Sequence, residues 1–207
     1  MKYRGRHIDW FVRCPMLAFS CFMLAYVLPG AARAAGIAIS SADSQAAVQL
    51  PPEPEAYRTD HYRSPVPLTL HGATVLSDEQ AQKLWSEKSA VFIDVYPHPP
   101  KPAGLPAGTL WRETTHRSIE NAVWLPNVGY GVLSPKIDAY FRRNLKTLTH
   151  GDKSKELVFF CLKNCWMSWN AAKRALSYGY TNIDWYRDGS DGWQESGGFL
   201  DEVHPLP

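Results

Sequence analysis

The segment from Glu156 to Leu176, Glu-Leu-Val-Phe-Phe-Cys-Leu-Lys-Asn-Cys-Trp-Met-Ser-Trp-Asn-Ala-Ala-Lys-Arg-Ala-Leu, contains the clearest structural pattern of the chain. Four consecutive apolar residues, Leu157–Phe160, predict a buried strand, and the alanine-rich residues from about Ser168 predict a helix. Cys161 ends the strand, and Cys165 lies in the short loop that follows it. Backbone N–H groups of a tight loop and of a helix N-terminus have no internal partners, so they stabilise an anion placed before them. A cysteine at this junction is therefore predicted to have a lowered pKa and a nucleophilic sulfur.

Short apolar runs alternate with helical patterns along the rest of the chain. The predicted strands are Ala73–Leu76, Ala90–Tyr96, Ala122–Leu125, Leu157–Phe160 and Asn182–Tyr186, and the predicted helices occupy residues 77–88, 134–148 and 168–179. Residues 98–106 are rich in proline and are predicted to form a surface excursion, and residues 187–193 a closing turn. This alternation predicts an α/β fold with a central, mostly parallel sheet and helices on both faces.

The N-terminal residues have the pattern of a secretory signal peptide. Several basic residues precede an apolar run of about 14 residues, Pro15–Leu28, which is followed by small residues that include Ala32-Arg-Ala34. We therefore predict a cleavable signal peptide over residues 1–34 and a periplasmic location. A retained membrane anchor is the alternative, but the apolar run is shorter than the ~20 residues of a spanning helix.

Composition divides the remaining chain into three parts. Residues 35–54 are rich in Ala, Ser, Gln and Pro without apolar periodicity, which predicts a disordered tether. Residues 55–72 are aromatic and punctuated by proline, and we predict that they wrap in extended form around a domain over residues 73–207. The net charge of +2 gives no indication of nucleic-acid binding.

Cysteine usage bears on the chemistry. Loss of residues 1–34 would remove Cys14 and Cys21 and leave Cys161 and Cys165 in an oxidising compartment. The pair is then either redox-active or modified, a structural disulfide, or two idle thiols. A disulfide needs the two Cβ atoms turned toward each other, whereas a conventional anion cradle directs loop side chains outward. A ring this small restricts the unfolded chain by only about 2 kcal/mol, so a purely structural bond has limited value.

The order of elements resembles the rhodanese-like domain. The matching pieces are Phe92-Ile-Asp-Val95, residues 117–126 (similar to the family's GHIPGAxxIP segment), Val158-Phe-Phe-Cys161 and Asp188-Gly-Ser-Asp-Gly-Trp193. The resemblance covers roughly Thr74 to Trp193 and implies a sulfurtransferase fold, of the thiosulfate or persulfide type, without a cofactor. It also implies that Cys161 is the persulfide-bearing nucleophile and that residues 162–168 form the active-site loop.

Residues 165–175, Asp191-Gly-Trp193 and Trp124-Leu-Pro-Asn127 are similar to a bacterial subfamily, the PQQ-dependent catabolism-associated CXXCW-motif proteins. That resemblance implies an exported protein that accompanies quinoprotein alcohol dehydrogenases. Two departures matter. Three residues separate Cys161 from Cys165, where the motif names two, and the loop appears about two residues longer than in single-domain sulfurtransferases, with tryptophan and methionine where arginine is common.

The candidate site consists of the two cysteines, the loop between strand and helix, and three supporting residues. Catalytic residues are Cys161 and Cys165; loop residues are Leu162, Lys163, Asn164, Trp166, Met167 and Ser168; supporting residues are Asp94, Arg117 and Trp169. Lys163 either lowers a thiolate pKa and attracts an anionic sulfur donor or is a solvated lysine. The tryptophans either shield a persulfide and form a docking patch or pack onto the domain. Asp94 either braces the fold or takes part in catalysis.

Two functions are compatible with this pattern. One is an exported rhodanese-like enzyme in which Cys161 accepts sulfane sulfur and Cys165 resolves it, with a small sulfur donor or a thiol protein as partner. The other is an accessory module that docks a periplasmic quinoprotein dehydrogenase or cytochrome, with the cysteines as a latch. The histidines show no mutual ligand spacing, so no metal site is predicted, and Cu(I) on two thiolates is a minor alternative.

Overall fold

The computed structural model describes residues 49–99, 101–110 and 115–207. The predicted signal peptide and residues 35–48 of the predicted tether lie outside these ranges, so both stay predictions. Within the described ranges, no helix has the length and apolar character that a membrane span requires.

Seven strands and four helices make up the described part of the chain. The strands are β1 (Thr74–Val75), β2 (Val91–Asp94), β3 (His116–Ile119), β4 (Val123–Trp124), β5 (Leu157–Phe160), β6 (Ile183–Trp185) and β7 (Leu200–Val203). The helices are α1 (Asp78–Glu87), α2 (Pro135–Leu148), α3 (Trp166–Ser177) and α4 (Gly189–Glu195). Five strands form one sheet in the order β1-β6-β5-β2-β4, and every neighbouring pair is parallel. The predicted α/β class with a central parallel sheet is confirmed.

Helices cover both faces of this sheet because alternate side chains of its strands point to opposite sides. In β5, Leu157 and Phe159 pack into one apolar cluster with α2 and α3. Val158 and Phe160 pack into the other, with residues of α1 and with Trp193 of α4. All four residues of β5 are buried, which is the pattern of a central parallel strand.

The first two helices begin where the sequence predicts. The Ser77 hydroxyl accepts from the Gln80 N–H, and the Gln80 side chain accepts from the Ser77 N–H, which completes a capping box. Ser134 caps α2, and Pro135 occupies its first turn, where no intrahelical N–H bond is lost. Local chemistry alone therefore fixes these helix starts.

Three features differ from the sequence prediction. Helix α3 begins at Trp166, two residues before Ser168. The predicted closing turn is a helix, α4, because packing of Trp193 against Trp85 and Phe92 outweighs the low helix propensity of its glycines. Strands β3 and β7 pair antiparallel outside the main sheet, and the sequence predicts neither of them.

The extended segment ahead of β1 packs against the domain. We call residues 53–72 the N-terminal strap. Glu53 accepts hydrogen bonds from the Thr69 hydroxyl at 2.7 Å and the His71 N–H at 2.6 Å. These bonds therefore join the beginning of the strap to its end. Val66 and Leu70 of the strap are buried in the same cluster as α2 and α3.

Candidate active site at the cysteine pair

The two cysteines lie at the junction of β5 and α3, at the carboxyl edge of the sheet. Cys161 follows the last residue of β5, and Cys165 is the N-cap of α3. The loop between them contains only Leu162, Lys163 and Asn164, and Asn164 adopts a left-handed conformation with φ of 56°. Asparagine tolerates that conformation better than most residues, so the chain can turn sharply. The turn places the Sγ atoms 2.8 Å apart as free thiols.

The backbone of Cys161 is held by the start of α4. Its carbonyl accepts from the Ser190 N–H at 2.9 Å and from the Ser190 hydroxyl at 3.3 Å. Gly189 precedes Ser190 with φ of 56°, and a Cβ atom there would lie 2.3 Å from the Cys161 oxygen. Glycine is thus required at this position by both conformation and space.

The N-terminal strap covers Cys165. Arg63 of the strap forms an antiparallel bridge with Cys165, and the Trp166 N–H donates to the Tyr62 carbonyl at 2.9 Å. The Trp166 indole N–H also reaches the strap, at 3.0 Å from the Ser64 hydroxyl. Cys161 and Cys165 are consequently only 1% and 2% exposed. The pair is closed off from solvent rather than open at the base of a cleft.

Two buried polar side chains of α3 fasten the segments around the pair. The Asn170 carbonyl oxygen accepts from the Arg58 N–H at 2.9 Å, and its NH₂ donates to the Arg58 carbonyl at 2.8 Å and the Gly129 carbonyl at 2.9 Å. The Arg174 guanidinium donates to three carbonyls in residues 128–131, at 2.9 to 3.0 Å. Both side chains satisfy backbone groups that would otherwise be unpaired.

Asp94 ends β2 beside the cysteine junction and is 1% exposed. Its carboxylate accepts from the Ser118 hydroxyl at 2.6 Å and the Tyr96 N–H at 2.8 Å, and it lies 2.7 Å from His116 Nε2. Asp94 therefore ties β2 to β3. Of the two roles that the sequence leaves open for Asp94, these contacts favour the bracing of the fold.

The two thiols have opposite electrostatic environments. Burial raises the pKa of Cys161 well above its ordinary value, and the hydrogen bond with Cys165 and the charge of Asp94 raise it further. The pKa of Cys165 is lowered to about 7, chiefly because Cys161 donates to its sulfur. The Met167 N–H and the charge of Arg63 also lower the pKa of Cys165. Of the two sulfurs, Cys165 thus carries the negative charge more readily.

The remaining predicted loop residues are placed differently from expectation. The loop ends at Cys165, and Trp166, Met167 and Ser168 form the first turn of α3, where all three are buried. Trp169 is also buried and packs edge-on against Trp166. The two tryptophans therefore pack onto the domain and present no exposed docking patch. The early helix start explains the difference, because it turns side chains that a longer loop would expose into the core.

Lys163 and Arg117 lie at the rim of the site. The Lys163 ammonium pairs with Glu195 of α4 at 2.8 Å, which directs it away from the sulfurs, and the pair is largely solvated. Arg117 is exposed on β3, and its guanidinium donates to the Leu200 carbonyl. Arg117 and Leu162 line a cavity of about 400 Å³ at the carboxyl edge of the sheet, and His116 lines the same cavity.

Sequence reasoning missed several residues of this site. Arg63, Asn170, Gly189 and Ser190 all contact the cysteine junction or fasten its cover. Only Gly189 has a sequence signal, since a glycine in the short connection after a strand often marks a close backbone approach. In the described part of the chain, no three His, Cys, Asp or Glu side chains cluster as metal ligands would.

The described part of the chain is an α/β domain whose parallel sheet has the order β1-β6-β5-β2-β4, with Cys161 directly after its central strand. No protein-family model matches the chain, and no curated protein matches it.

The solved structures that are similar to the chain include the following three. A thiosulfate sulfurtransferase from Pseudomonas aeruginosa is 17% identical over 64% of this chain with a TM-score of 0.44, and the match spans 21% of that enzyme. A polysulfide-sulfur transferase homodimer from Wolinella succinogenes is 22% identical over 63% of this chain and 79% of that one, with a TM-score of 0.39. An uncharacterized protein from Saccharomyces cerevisiae is 18% identical over 60% of this chain and 93% of its own, with a TM-score of 0.36.

Proposed function

We propose that this protein is an exported rhodanese-like protein in which Cys161 and Cys165 together carry sulfane sulfur and exchange with an external thiol. The single observation that carries the proposal is the placement of the two thiols. Their sulfurs lie 2.8 Å apart at the end of the central strand and the start of a helix. Thiols this close can form and break a bond with little backbone movement.

The reaction proceeds in three balanced steps. One thiolate attacks the sulfane sulfur of a donor such as thiosulfate; a persulfide forms, and sulfite leaves with the electron pair of the broken S–S bond. The second cysteine attacks Sγ of the persulfide and forms the Cys161–Cys165 disulfide. The bond from Sγ to the outer sulfur breaks, and the outer sulfur takes the electron pair and the proton of the second cysteine and leaves as hydrosulfide. The dithiol has then lost two electrons, and the sulfane sulfur has gained them. An external dithiol reductant restores the pair by disulfide exchange and becomes a disulfide itself.

The signal-peptide pattern of residues 1–34 supports export, and an oxidising compartment makes a reducing partner necessary for turnover. The similarity of residues 165–175 to CXXCW-motif proteins supports an association with PQQ-dependent alcohol oxidation. A small sulfur donor and a thiol-bearing partner follow from the chemistry of the pair.

Intact mass of the purified protein, before and after reductant, tests the chemical state of the pair. A loss of about 32 Da on reduction indicates a persulfide, and a gain of about 2 Da indicates a disulfide. Turnover of thiosulfate or a persulfide donor, with a dithiol reductant, tests the activity. We expect Cys161→Ser and Cys165→Ser each to abolish turnover, while the surface variant Gln82→Ala leaves it unchanged. No turnover of either donor, together with a mass that reductant leaves unchanged, would refute the proposal.

A second function is favoured by the burial of both cysteines, at 1% and 2% exposed. A closed pair suits a latch in an accessory module that binds a periplasmic quinoprotein dehydrogenase or cytochrome. The buried tryptophans offer that partner no contact, so another surface would have to bind it. Affinity capture from the periplasm with wild-type protein and with Cys165→Ser separates the two functions. If the pair is a latch, Cys165→Ser should capture less of the dehydrogenase than wild type does. If the protein is an enzyme, the two should capture equal amounts.

A further inference from the structure

We propose that Cys165 is the attacking thiolate of the pair and that Cys161 is the resolving thiol. This order is the reverse of the one implied by the rhodanese resemblance, in which the cysteine that ends the strand attacks. The inference rests on the proposed sulfur chemistry of the same pair, and it assigns the two roles within that chemistry.

The first observation is the position of Cys165 at the N-cap of α3. This helix has twelve residues, so its N-terminus carries unpaired N–H groups and the positive end of a substantial dipole. The Cys165 side chain makes no capping hydrogen bond of normal geometry, yet the Met167 N–H in the first turn favours its thiolate. On the Cys161 side, the N-terminus of α4 donates to the Cys161 carbonyl rather than to its sulfur, and the Leu162 N–H favours both thiolates.

The second observation is the opposite charge on the two sides of the pair. On the Cys165 side, the antiparallel bridge places Arg63 of the strap opposite the cysteine. On the Cys161 side, the buried Asp94 is paired in register with Phe160, so it ends the neighbouring strand beside the cysteine. A guanidinium favours a nearby thiolate, and a carboxylate disfavours one.

Other charged groups near the junction are already paired. Lys163 of the loop forms its salt bridge with Glu195, and the Lys163 N–H donates to the Asp191 carboxylate of α4 at 3.1 Å. The Lys163–Glu195 pair is neutral, and Asp191 leaves one net negative charge at the rim, next to the Lys163 N–H. The field across the sulfurs is set mainly by Arg63, Asp94 and the N-terminus of α3.

The third observation is the route of access. The strap crosses Cys165 through the Arg63 bridge and the bond from Trp166 to Tyr62, whereas Cys161 is held against α4 on the other side. Displacement of residues 62–64 would uncover Cys165 first. A donor that enters there meets Cys165, whose thiolate the N-terminus of α3 still favours after Arg63 has moved away with the strap.

The order of steps follows from these positions. The Cys165 thiolate attacks the sulfane sulfur and becomes the persulfide, and the donor's leaving group departs with the electron pair. Cys161 then attacks Sγ of Cys165, and the bond from that Sγ to the outer sulfur breaks. The Cys161 proton passes to the outer sulfur, which leaves as hydrosulfide with the electron pair, and the disulfide closes. The short distance of 2.8 Å between the sulfurs makes this second step intramolecular.

Thiolate absorbance in the ultraviolet, measured against pH on the reduced protein, tests the assignment without requiring access to the pair. In Cys161→Ser, where the serine hydroxyl can still donate to the remaining sulfur, we expect a titration with its midpoint near pH 7. In Cys165→Ser, we expect no titration below about pH 9, since the Cys161 pKa is raised from its ordinary value. A near-neutral midpoint in Cys165→Ser and not in Cys161→Ser would overturn the assignment.

Two charge variants in the Cys161→Ser background extend the test. Arg63→Gln is expected to raise the midpoint by about half a pH unit, and the control Lys136→Gln, which removes an exposed charge on α2, is expected to leave it in place. Equal midpoints in both variants would show that Arg63 does not favour the Cys165 thiolate.

Incubation with thiosulfate, followed by peptide mass analysis, separates this inference from the proposed function. Cys161→Ser should retain about 32 Da of added sulfur on Cys165, because the resolving thiol is absent, and Cys165→Ser should retain none. Added sulfur on Cys161 in Cys165→Ser alone would overturn the order of attack. If wild type and both variants take up no sulfur, the sulfur-transfer function fails, and the titrations alone decide which cysteine is the thiolate.

Discussion

Asn170 offers the sharpest test of how the site is closed. Its side chain is fully buried in α3, and it joins the N-terminal strap, through both backbone groups of Arg58, to the carbonyl of Gly129. Asn170→Ala removes these three hydrogen bonds and introduces no new group. The strap then keeps its contacts at Tyr62 and Ser64 but loses the two hydrogen bonds at Arg58 that hold it to α3.

The expected loss of stability follows from the number of bonds. A typical intramolecular hydrogen bond contributes about 1 kcal/mol, and a buried partner left unsatisfied costs about 1–3 kcal/mol. Arg58 is partly exposed and can bond water instead, whereas the Gly129 carbonyl faces the buried interior at this bond. We therefore expect the free energy of unfolding to fall by about 3 kcal/mol, which corresponds to about 6–12 °C in Tm for a domain of this size.

Urea unfolding measures the stability, and the labelling rate of Cys165 by a thiol reagent measures the opening of the strap. Because opening is local, each 1.4 kcal/mol lost from the strap should raise the labelling rate about tenfold. The control is Gln82→Ala, whose exposed amide donates to Ser196 and should cost less than about 0.5 kcal/mol. A loss below about 1 kcal/mol for Asn170→Ala, with unchanged labelling, would show that Asn170 does not fasten the strap.

Two further predictions concern stability. Gly189→Ala places a Cβ atom 2.3 Å from the Cys161 carbonyl, whereas Gly179 has positive φ but open space around it. In urea unfolding, Gly179→Ala should therefore cost about 1 kcal/mol and Gly189→Ala at least about 2 kcal/mol more, and equal losses would contradict a close approach at Cys161. Burial raises the pKa of Asp184 to about 7, and Glu156 adds to the shift. Since this folded-state pKa exceeds the unfolded value, the folded state binds the extra proton, and stability should decline by about 2 kcal/mol from pH 5 to pH 8. Asp184→Asn should abolish the decline. If urea unfolding of this variant still gives the wild-type difference in stability between pH 5 and pH 8, the Asp184 carboxyl is not its source.

The parts of the fold that local chemistry determines were predictable from sequence. The apolar run of β5 and the capping residues Ser77 and Ser134 predict elements at the observed places, because these signals act over three or four residues. The position of Cys161 at the end of β5 followed from the same run. The parallel order of strands followed from their alternation with helices.

The features that depend on distant contacts were not predictable in this way. Helix α4 is stabilised by the packing of Trp193 against Trp85 and Phe92, about a hundred positions earlier, and no local sequence pattern predicts that packing. The closure of the site depends on Tyr62 and Arg63, which meet Trp166 and Cys165 across a similar separation. Residue propensities predict an extended, proline-rich segment there, but they do not predict which helix end the segment covers.

Closure of the site and ionisation of the pair are linked if Cys165 is the thiolate. Arg63 belongs to the strap, so its charge favours the thiolate only while the strap is in place. Linkage is reciprocal: whatever free energy the closed strap contributes to the thiolate, the thiolate contributes to the closed strap. Reaction at Cys165, whether with a sulfur donor or with Cys161, removes or displaces that negative charge and with it this contribution. The reduced pair would thus stabilise the closed strap, and the oxidised pair would favour its opening toward the proposed thiol partner.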